Sequence, residues 1–271
     1  MPIGNMLNFT QDFSPDAIGE ISLDHAVARV GAFCSDPASG FLAYDIAGYV
    51  ARRSGRLGEI GPWTILLADA LAGQVSVGDV NEFARHIEEF AERLGDVPEE
   101  DLAGTDEGGL SRVIDFCCFG FPGAWAPKIT KVGALFRNEA IPILDGHVAR
   151  AFGYPRNGFT AGREPRWAAI TKVVSALRVG INAQKEELAT VRDRVAVNAP
   201  AVTILSDVRL TDLILWTSQD DRDSLSRGRI PWQARPTRTP PITVDLARWV
   251  TLGNPPRLET HTPGQRQGDR K

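Results

Sequence analysis

The stretch that decides the fold is GFPGAWAPKITKVGALFRNEAIPILDGHVARAFGY, which runs from Gly120 to Tyr154. A glycine-containing turn comes first, and a short basic helix follows it. The apolar run Ile141–Leu144 then leads to Asp145, at the start of a second helix. The free backbone N–H groups and the dipole of a helix N-terminus both favour a negative charge there. The stretch therefore predicts two short helices and an ionised carboxylate where the second one begins.

The rest of the chain is predicted to be all-α. No segment of any length alternates apolar and polar residues as a strand does, and the spacing of apolar residues fits about nine to eleven helices. Residues 1–220 form the predicted helical domain, and residues 221–271 form an Arg- and Pro-rich extension that ends in a disordered tail. Outside the quoted stretch, helical patterns cover residues 25–33, 45–54, 63–72, 77–94, 110–119, 166–179, 186–196 and 202–216.

Composition excludes several classes of protein. The 271 residues are 43% hydrophobic and 24% charged, as is usual for a globular protein. No apolar run reaches the ~18 residues that cross a bilayer, and the N-terminus does not have the pattern of a secretory signal. Three cysteines form no disulfide framework, which indicates the cytoplasm, and they are too few for an iron–sulfur cluster. Four scattered histidines predict no metal site; we expect no cofactor.

The net charge of −4 argues against a nucleic-acid partner, but the charges are unevenly distributed. Basic residues outnumber acidic ones between Lys128 and Arg156, whereas the segment Glu82–Glu107 is acidic. A duplex would have to lie against the basic segment. Its affinity would then depend on local phosphate contacts and would fall steeply with salt.

Within the quoted stretch, ILDGHVARAFGY resembles the segment that carries the catalytic aspartate in the helix-hairpin-helix DNA glycosylase superfamily, and is closest to its adenine-mismatch branch. Gly123–Ile129 occupies the place of that superfamily's hairpin. Two further segments, DPASGFLAYDIAGYV (36–50) and LSDVRLTDLILW (205–216), look like a little-characterised bacterial family related to these glycosylases. The recognisable parts cover about half of the chain.

The resemblance implies an all-α domain of two helical lobes with a cleft between them, in which double-stranded DNA presents a flipped base. It implies a monomeric enzyme that hydrolyses an N-glycosidic bond in base-excision repair. Because the chain is short between Gln74 and the hairpin compared with such relatives, a bulky modified base would fit, and defence against phages that carry such bases is the second role. Asp145 would stabilise the sugar oxocarbenium ion. The alternative is that Asp145 is only an N-cap residue, although capping and catalysis are compatible.

The resemblance also assigns phosphate binding to the hairpin. The residues concerned are Gly123, Ala124, Trp125, Ala126, Lys128 and Lys131. Trp125 stands where the family has a second glycine, so the turn is expected to differ in shape. Trp125 would stack on a base or fill the core, and the whole segment is alternatively a structural turn between helices.

Bifunctional relatives use a lysine nucleophile, and alignment from Asp145 puts Pro127 at its position. Lys128 follows one residue later, which is a rotation of about 100° on a helix. We therefore predict a monofunctional enzyme that leaves an abasic site and does not cut the strand. Trapping of Lys128 on DNA with borohydride would contradict this.

Further candidates each have a structural alternative. The resemblance implies that Gln74 fills the gap left by a flipped nucleotide, as a Gln does in a comparable turn of relatives; alternatively, Gln74 is an exposed turn residue. Tyr44, Asp45 and Trp63 line a base pocket or belong to the core. His147 contacts the substrate or lies on the outer helix face.

Arg209 and Asp212, three residues apart, are expected to form a buried structural pair rather than a catalytic one. Two other classes of function stay open for the whole protein. One is a non-catalytic helix-hairpin-helix DNA-binding module, and the other is a helical scaffold that binds no nucleic acid.

Overall fold

Helices make up most of the part of the chain described by the computed structural model, which covers residues 6–228 except 37–38, 56, 59 and 161–162. The all-α prediction is confirmed, with ten α-helices in these ranges. They are α1 Leu23–Ser35, α2 Ala47–Arg53, α3 Val77–Arg85, α4 Ile87–Asp96, α5 Glu107–Cys118, α6 Ala126–Phe136, α7 Gly146–Ala151, α8 Arg163–Ala183, α9 Lys185–Ala196 and α10 Asp207–Ser226.

The sequence pattern gave no sign of two short strands, β1 (Met6–Leu7) and β2 (Ile21–Ser22), which pair antiparallel. Two residues are too few to show alternation, so the pattern could not reveal them. Their pairing holds the N-terminal segment against the start of α1, where the hydroxyl of Ser22 accepts the N–H of His25 at 3.2 Å.

Among the described residues, four helical segments are not α-helices. Phe41–Ile46 forms a π-helix that leads into α2, while Pro62–Leu71, Leu102–Gly104 and Pro200–Ile204 are 3₁₀-helices. The predicted helix over 45–54 therefore begins as a π-helix before it continues as α2, and the predicted helix over 63–72 is a 3₁₀-helix. Irregular turns of this kind are common where a chain must present side chains to a site, and residues of the first two segments line the cavity described below.

The predicted helix over residues 77–94 was wrong as one continuous helix, because it breaks at His86 between α3 and α4. The imidazole of His86 stacks on Phe121, with ring centroids 4.9 Å apart and planes 5° apart. Phe83 and Phe90, on either side of the break, are fully buried with centroids 5.0 Å apart. The break thus turns both helices onto one aromatic cluster, which supports the turn at residues 121–124.

Helix α10 is the central element of the fold. Ser206 caps it, accepting the N–H of Arg209 at 3.1 Å, and its residues are buried on several faces, among them Leu210, Ile214 and Thr217. The helix continues to Ser226, so the predicted domain boundary at residue 220 falls inside it. The remainder of the predicted extension and its tail lie outside the described residues.

Cys34, Cys117 and Cys118 are all buried and free. In the described ranges, none of the helices combines the length and apolar character that crossing a membrane would need.

Candidate functional site

Asp145 lies at the N-terminus of α7, at the end of a buried connector. The run Ile141–Leu144 is buried, and its last N–H donates to the hydroxyl of Thr130 at 3.0 Å. Oδ1 of Asp145 accepts the backbone N–H groups of His147 and Val148 at 2.9 and 3.1 Å. The predicted N-cap is therefore confirmed. These two bonds orient the carboxylate and leave Oδ2 without a hydrogen bond from any described residue.

The carboxylate of Asp145 lines a cavity of about 570 Å³. Its wall is formed by residues between 33 and 43, the segment 69–72, one residue each from α6 and the connector, and one face of α10. Phe33 and Trp216 supply aromatic rings with centroids 6.3 Å apart. The ionisable groups on the wall are Asp69, Lys131, Asp145, Arg209 and Asp212.

Lys131 is buried beside this cavity rather than exposed on the hairpin. Its side chain is 7% exposed, and Nζ donates to the carbonyl of Leu71 at 2.8 Å. Burial lowers the pKa of Lys131, against the opposing attraction of Asp145 and Asp212. Phosphate binding by Lys131 at the hairpin surface does not fit this position, because its ammonium group faces the carboxylates of the cavity.

Arg209 joins two carboxylates at the base of the cavity. Its Nε and Nη2 bind Oδ1 and Oδ2 of Asp45 at 2.7 and 3.0 Å, while Nη1 binds Oδ2 of Asp212. The predicted buried pair of Arg209 and Asp212 is confirmed. Burial opposes the charge of Arg209, but attraction to Asp45 and Asp212 outweighs it and raises the pKa.

Asp212 is a buried carboxyl group of the site with incomplete hydrogen bonding. Its residue is 5% exposed, and Oδ1 has no partner among the described residues although Oδ2 is bound by Arg209. Burial raises the pKa of Asp212 to about 7; the nearby charge of Asp145 adds to the effect, and Arg209 opposes it. A buried carboxyl group with an unused oxygen at a cavity wall is a candidate for ligand contact.

Tyr44 and Asp45, predicted in a base pocket, lie behind the cavity wall. The hydroxyl of Tyr44 donates to the carbonyl of Lys131, and Asp45 holds Arg209. Both side chains are buried, so their role in this structure is to support cavity residues. Trp63 is 47% exposed and lies on a separate groove, with Leu67 and Leu135.

The hairpin segment is a tight turn. Phe121 and Ala124 exchange two backbone hydrogen bonds of 3.0 and 2.9 Å, and Gly123 has φ +93°, which glycine adopts without strain. A Cβ there would come within 2.5 Å of Oδ1 of Asp79. Nζ of Lys128 binds the other oxygen of Asp79 at 2.7 Å. The side chain expected to reach phosphate is thus held by a carboxylate at the base of the turn.

Trp125 occupies the N-cap position of α6 with extended backbone angles, φ −97° and ψ −172°. Trp125 therefore does not adopt the left-handed conformation that is costly for a tryptophan and that the glycine at this position of the family's hairpin would allow. Its ring packs under the guanidinium of Arg166, with 4.4 Å between the carbon of the guanidinium and the ring centroid. Ala124 and Ala126, on either side, have buried side chains.

Gln74 is exposed, with a left-handed φ of +53°, two residues beyond the cavity-lining Ala72. His147 is half-buried, and its ring lies against Trp216 with centroids 5.1 Å apart. Burial lowers the pKa of His147. His147 therefore stands behind a cavity residue and not on an outer helix face.

Sequence reasoning missed the wall formed by Phe33, Leu213 and Trp216, and it assigned Asp212 a structural role only. The available signal was the segment 205–216, in which Arg209, Asp212, Leu213 and Trp216 follow helical spacing and share a face. No group of three or more His, Cys, Asp or Glu within the described ranges is arranged to hold a metal ion.

Comparison of the chain with protein-family models, with curated proteins and with solved structures found no match in any of the three.

Proposed function

We propose that this protein is a monofunctional DNA glycosylase of the helix-hairpin-helix type, which hydrolyses the N-glycosidic bond of a damaged or modified base. The observation that carries the proposal is the position of Asp145. Its carboxylate is oriented by the N–H groups of α7 and borders a cavity large enough for an extruded base. An anion oriented in advance, in a partly water-excluded cavity, stabilises a cation that forms next to it.

The charges around the cavity fit this chemistry. Arg209 is already bound by Asp45 and Asp212, whereas Oδ2 of Asp145 has no hydrogen bond from a described residue. As the base departs, positive charge grows on the deoxyribose, and the carboxylate of Asp145 on the cavity wall stabilises that charge. Extrusion of the nucleotide costs a few kcal/mol, least where the base pair is already weakened.

The cavity, of about 570 Å³, has room for an extruded base that carries a substituent. A modified base, of the damaged kind or of the kind that some phages carry, is therefore compatible with it. Repair and defence against such phages are the two roles consistent with this substrate.

Hydrolysis, rather than attack by lysine, is proposed because Lys128 is bound to Asp79. The amine of the cavity is that of Lys131, which donates to a backbone carbonyl. We assign it an electrostatic role, in which its charge keeps Asp145 and Asp212 in place. DNA would lie across a cleft between two lobes, with the hairpin against a phosphate.

The proposal is tested with a panel of duplexes that contain damaged and modified bases, incubated with the protein and then heated in alkali. Strand breaks that appear only after alkali indicate base release without lyase activity. Breaks before alkali, or trapping of Lys128 or Lys131 with borohydride, would contradict the monofunctional mechanism. Absence of breaks across the panel would contradict the glycosylase itself.

The role of Asp145 is tested by Asp145→Asn, which preserves capping because Asn and Asp are comparable N-caps. We expect DNA binding and thermal stability to be retained and single-turnover base release to fall by about three orders of magnitude, or ~4 kcal/mol of barrier. Asp106→Asn is the matched control, since Asp106 caps α5 by accepting the N–H of Gly109 at 2.6 Å. A fully active Asp145→Asn protein would exclude the assigned role.

A non-catalytic DNA-binding module is the second candidate. Two observations favour it: the tight turn of Phe121 and Ala124 is present, whereas Tyr44 and Asp45, predicted to line a base pocket, are buried behind the cavity wall. In the same panel, such a module would retain DNA without releasing a base.

A further inference from the structure

One carboxyl oxygen of Asp212 is hydrogen-bonded, and the other has no hydrogen-bond partner among the described residues. Nη1 of Arg209 binds Oδ2, and the rest of that guanidinium is occupied by Asp45. Asp212 is 5% exposed, and no described residue provides a donor or acceptor to Oδ1. Because a guanidinium can only donate, any proton that Asp212 binds must reside on Oδ1. Asp212 lines the cavity, so Oδ1 is the oxygen that would carry a transferable proton.

We propose that Asp212 is the general acid of this site, which donates the proton on Oδ1 to the departing base while Asp145 faces the sugar. This inference rests on the proposed glycosylase function. It assigns two different roles to two carboxyl groups of one cavity, on the basis of their surroundings. Asp145 is bound by backbone N–H groups and is partly exposed, whereas Asp212 is buried.

The electrostatic surroundings favour a protonated Asp212 near neutral pH. Burial raises its pKa to about 7, which is near the working pH that is best for an acid catalyst. The charge of Asp145 contributes to this rise, and Arg209 limits it. The ionisable groups that face Asp212 from the neighbouring elements are Tyr44 and Asp45 of the π-helix, Lys131 of α6, Asp145 at the start of α7, and Arg209 of α10.

Base release is coupled to proton transfer, and addition of water completes the reaction. The bond from C1′ to the base nitrogen breaks, and its electron pair leaves with the base. The proton on Oδ1 of Asp212 passes to a ring nitrogen or carbonyl oxygen of that base. Water then bonds to C1′ and loses a proton to Asp145, which returns it to solvent, and Asp212 takes up a proton from solvent. The products are the neutral base and an abasic site.

This role also specifies the class of substrate. A neutral base would leave as an anion unless it is protonated, so an acid in the cavity accelerates its departure. A base that already carries a positive charge, such as 7-methylguanine, leaves as a neutral molecule and needs no such proton. We therefore expect the preferred substrate to be a neutral modified base.

The test is the pH dependence of single-turnover base release from the best duplex of the panel, measured for the wild-type protein and Asp212→Asn. The wild-type rate should fall about tenfold per pH unit above about pH 7, because Asp212 loses its proton there. Asp212→Asn should be about 100-fold slower or more at pH 6 and should lack this decline. Thr211→Val is the control, since Thr211 is the buried neighbour on α10, and its pH profile should match the wild type.

Several results would overturn the proposal. A slower Asp212→Asn protein with an unchanged decline above pH 7 would indicate that Asp212 only positions Arg209. Equal rates for the variant and the wild type, or 7-methylguanine as the best substrate, would also exclude an acid. A wild-type protein that releases no base overturns the glycosylase function, and the acid role with it. If the wild-type protein releases a base but its rate does not fall above about pH 7, only the acid role of Asp212 is overturned.

A measurement on the wild-type protein keeps the test independent of whether the variant folds. Infrared spectra of protein labelled with ¹³C at the aspartate carboxyl groups should show a protonated carboxyl at pH 6 that disappears by pH 8. Ordinary aspartates, with pKa values of about 4, are ionised throughout this range. No protonated aspartate at pH 6 would overturn the proposal.

Discussion

The guanidinium of Arg209 balances two buried carboxylates that are far apart in the chain. Asp45 and Asp212 both bind it, and all three side chains are nearly inaccessible to solvent. A buried charge that loses its partner is much more costly than an exposed one, because water cannot replace the missing interaction. The stability of the site therefore depends on this residue.

We predict that Arg209→Met lowers the free energy of unfolding by about 3–5 kcal/mol at pH 7. The unpaired carboxyl groups would then have raised pKa values in the folded state, so the native protein would bind more protons than the unfolded chain. Stability of the variant should consequently increase as the pH falls from 7 to 5. Urea unfolding at both pH values measures this.

Arg192→Met serves as the control for that experiment. Arg192 pairs with Asp207 at a partly exposed position, where an ion pair contributes about 0–1 kcal/mol. If the two variants lose similar amounts of unfolding free energy, or if the stability of Arg209→Met does not depend on pH, a buried charge network is contradicted.

At the scale of elements, α5 and α6 approach closely at Gly133. A Cβ on this residue would lie 2.4 Å from Cε1 and 2.5 Å from Cζ of Phe116, which is fully buried. The small residue lets α6 present Lys131, two positions earlier, to the cavity. Helix packing therefore determines which lysine enters the site.

Gly133→Ala is expected to cost about 1–3 kcal/mol, because overpacking in a core displaces neighbours. Gly95→Ala in α4 is the matched substitution: a Cβ there meets nothing within 4 Å, and alanine is the better helix former. Thermal denaturation of both variants should show a decrease for the first only. A stable Gly133→Ala protein would mean that the two helices can separate without penalty.

For the whole molecule, α10 connects the site to distant parts of the fold. Near its end Asp221 pairs with Arg29 of α1, both almost completely buried, and Asp223 binds Arg150 of α7 at 3.0 Å. Arg29 also donates to the carbonyl of Thr217 at 3.2 Å. The last turns of this helix thus hold α1 and α7 in place.

A chain shortened to residue 220 should be less stable than one shortened to residue 228 by about 3 kcal/mol or more, because Arg29 would be left buried without Asp221. Urea unfolding of the two proteins, followed by circular dichroism, measures the difference. Equal midpoints would show that residues 221–228 are not part of the domain, as the predicted boundary at 220 assumed.

The accuracy of the sequence predictions follows the range of the interactions involved. The N-cap of Asp145 and most helices were predicted, since their hydrogen bonds span four residues or fewer. The helix break at His86 was missed because a ring from the hairpin, Phe121, stabilises it. Lys128 and Lys131 both fitted the hairpin, and only packing separated them.

The sequence alone determined that the chain is helical and that a carboxylate stands at the start of α7, because periodicity and capping are local properties. Tertiary structure decided the cavity. Arg209 meets Asp45 across 164 positions of sequence, and Asp212 has an unused oxygen only because none of the described side chains packed around it supplies a partner. Burial and long-range charge depend on the whole packed molecule, and no short stretch of residues encodes them.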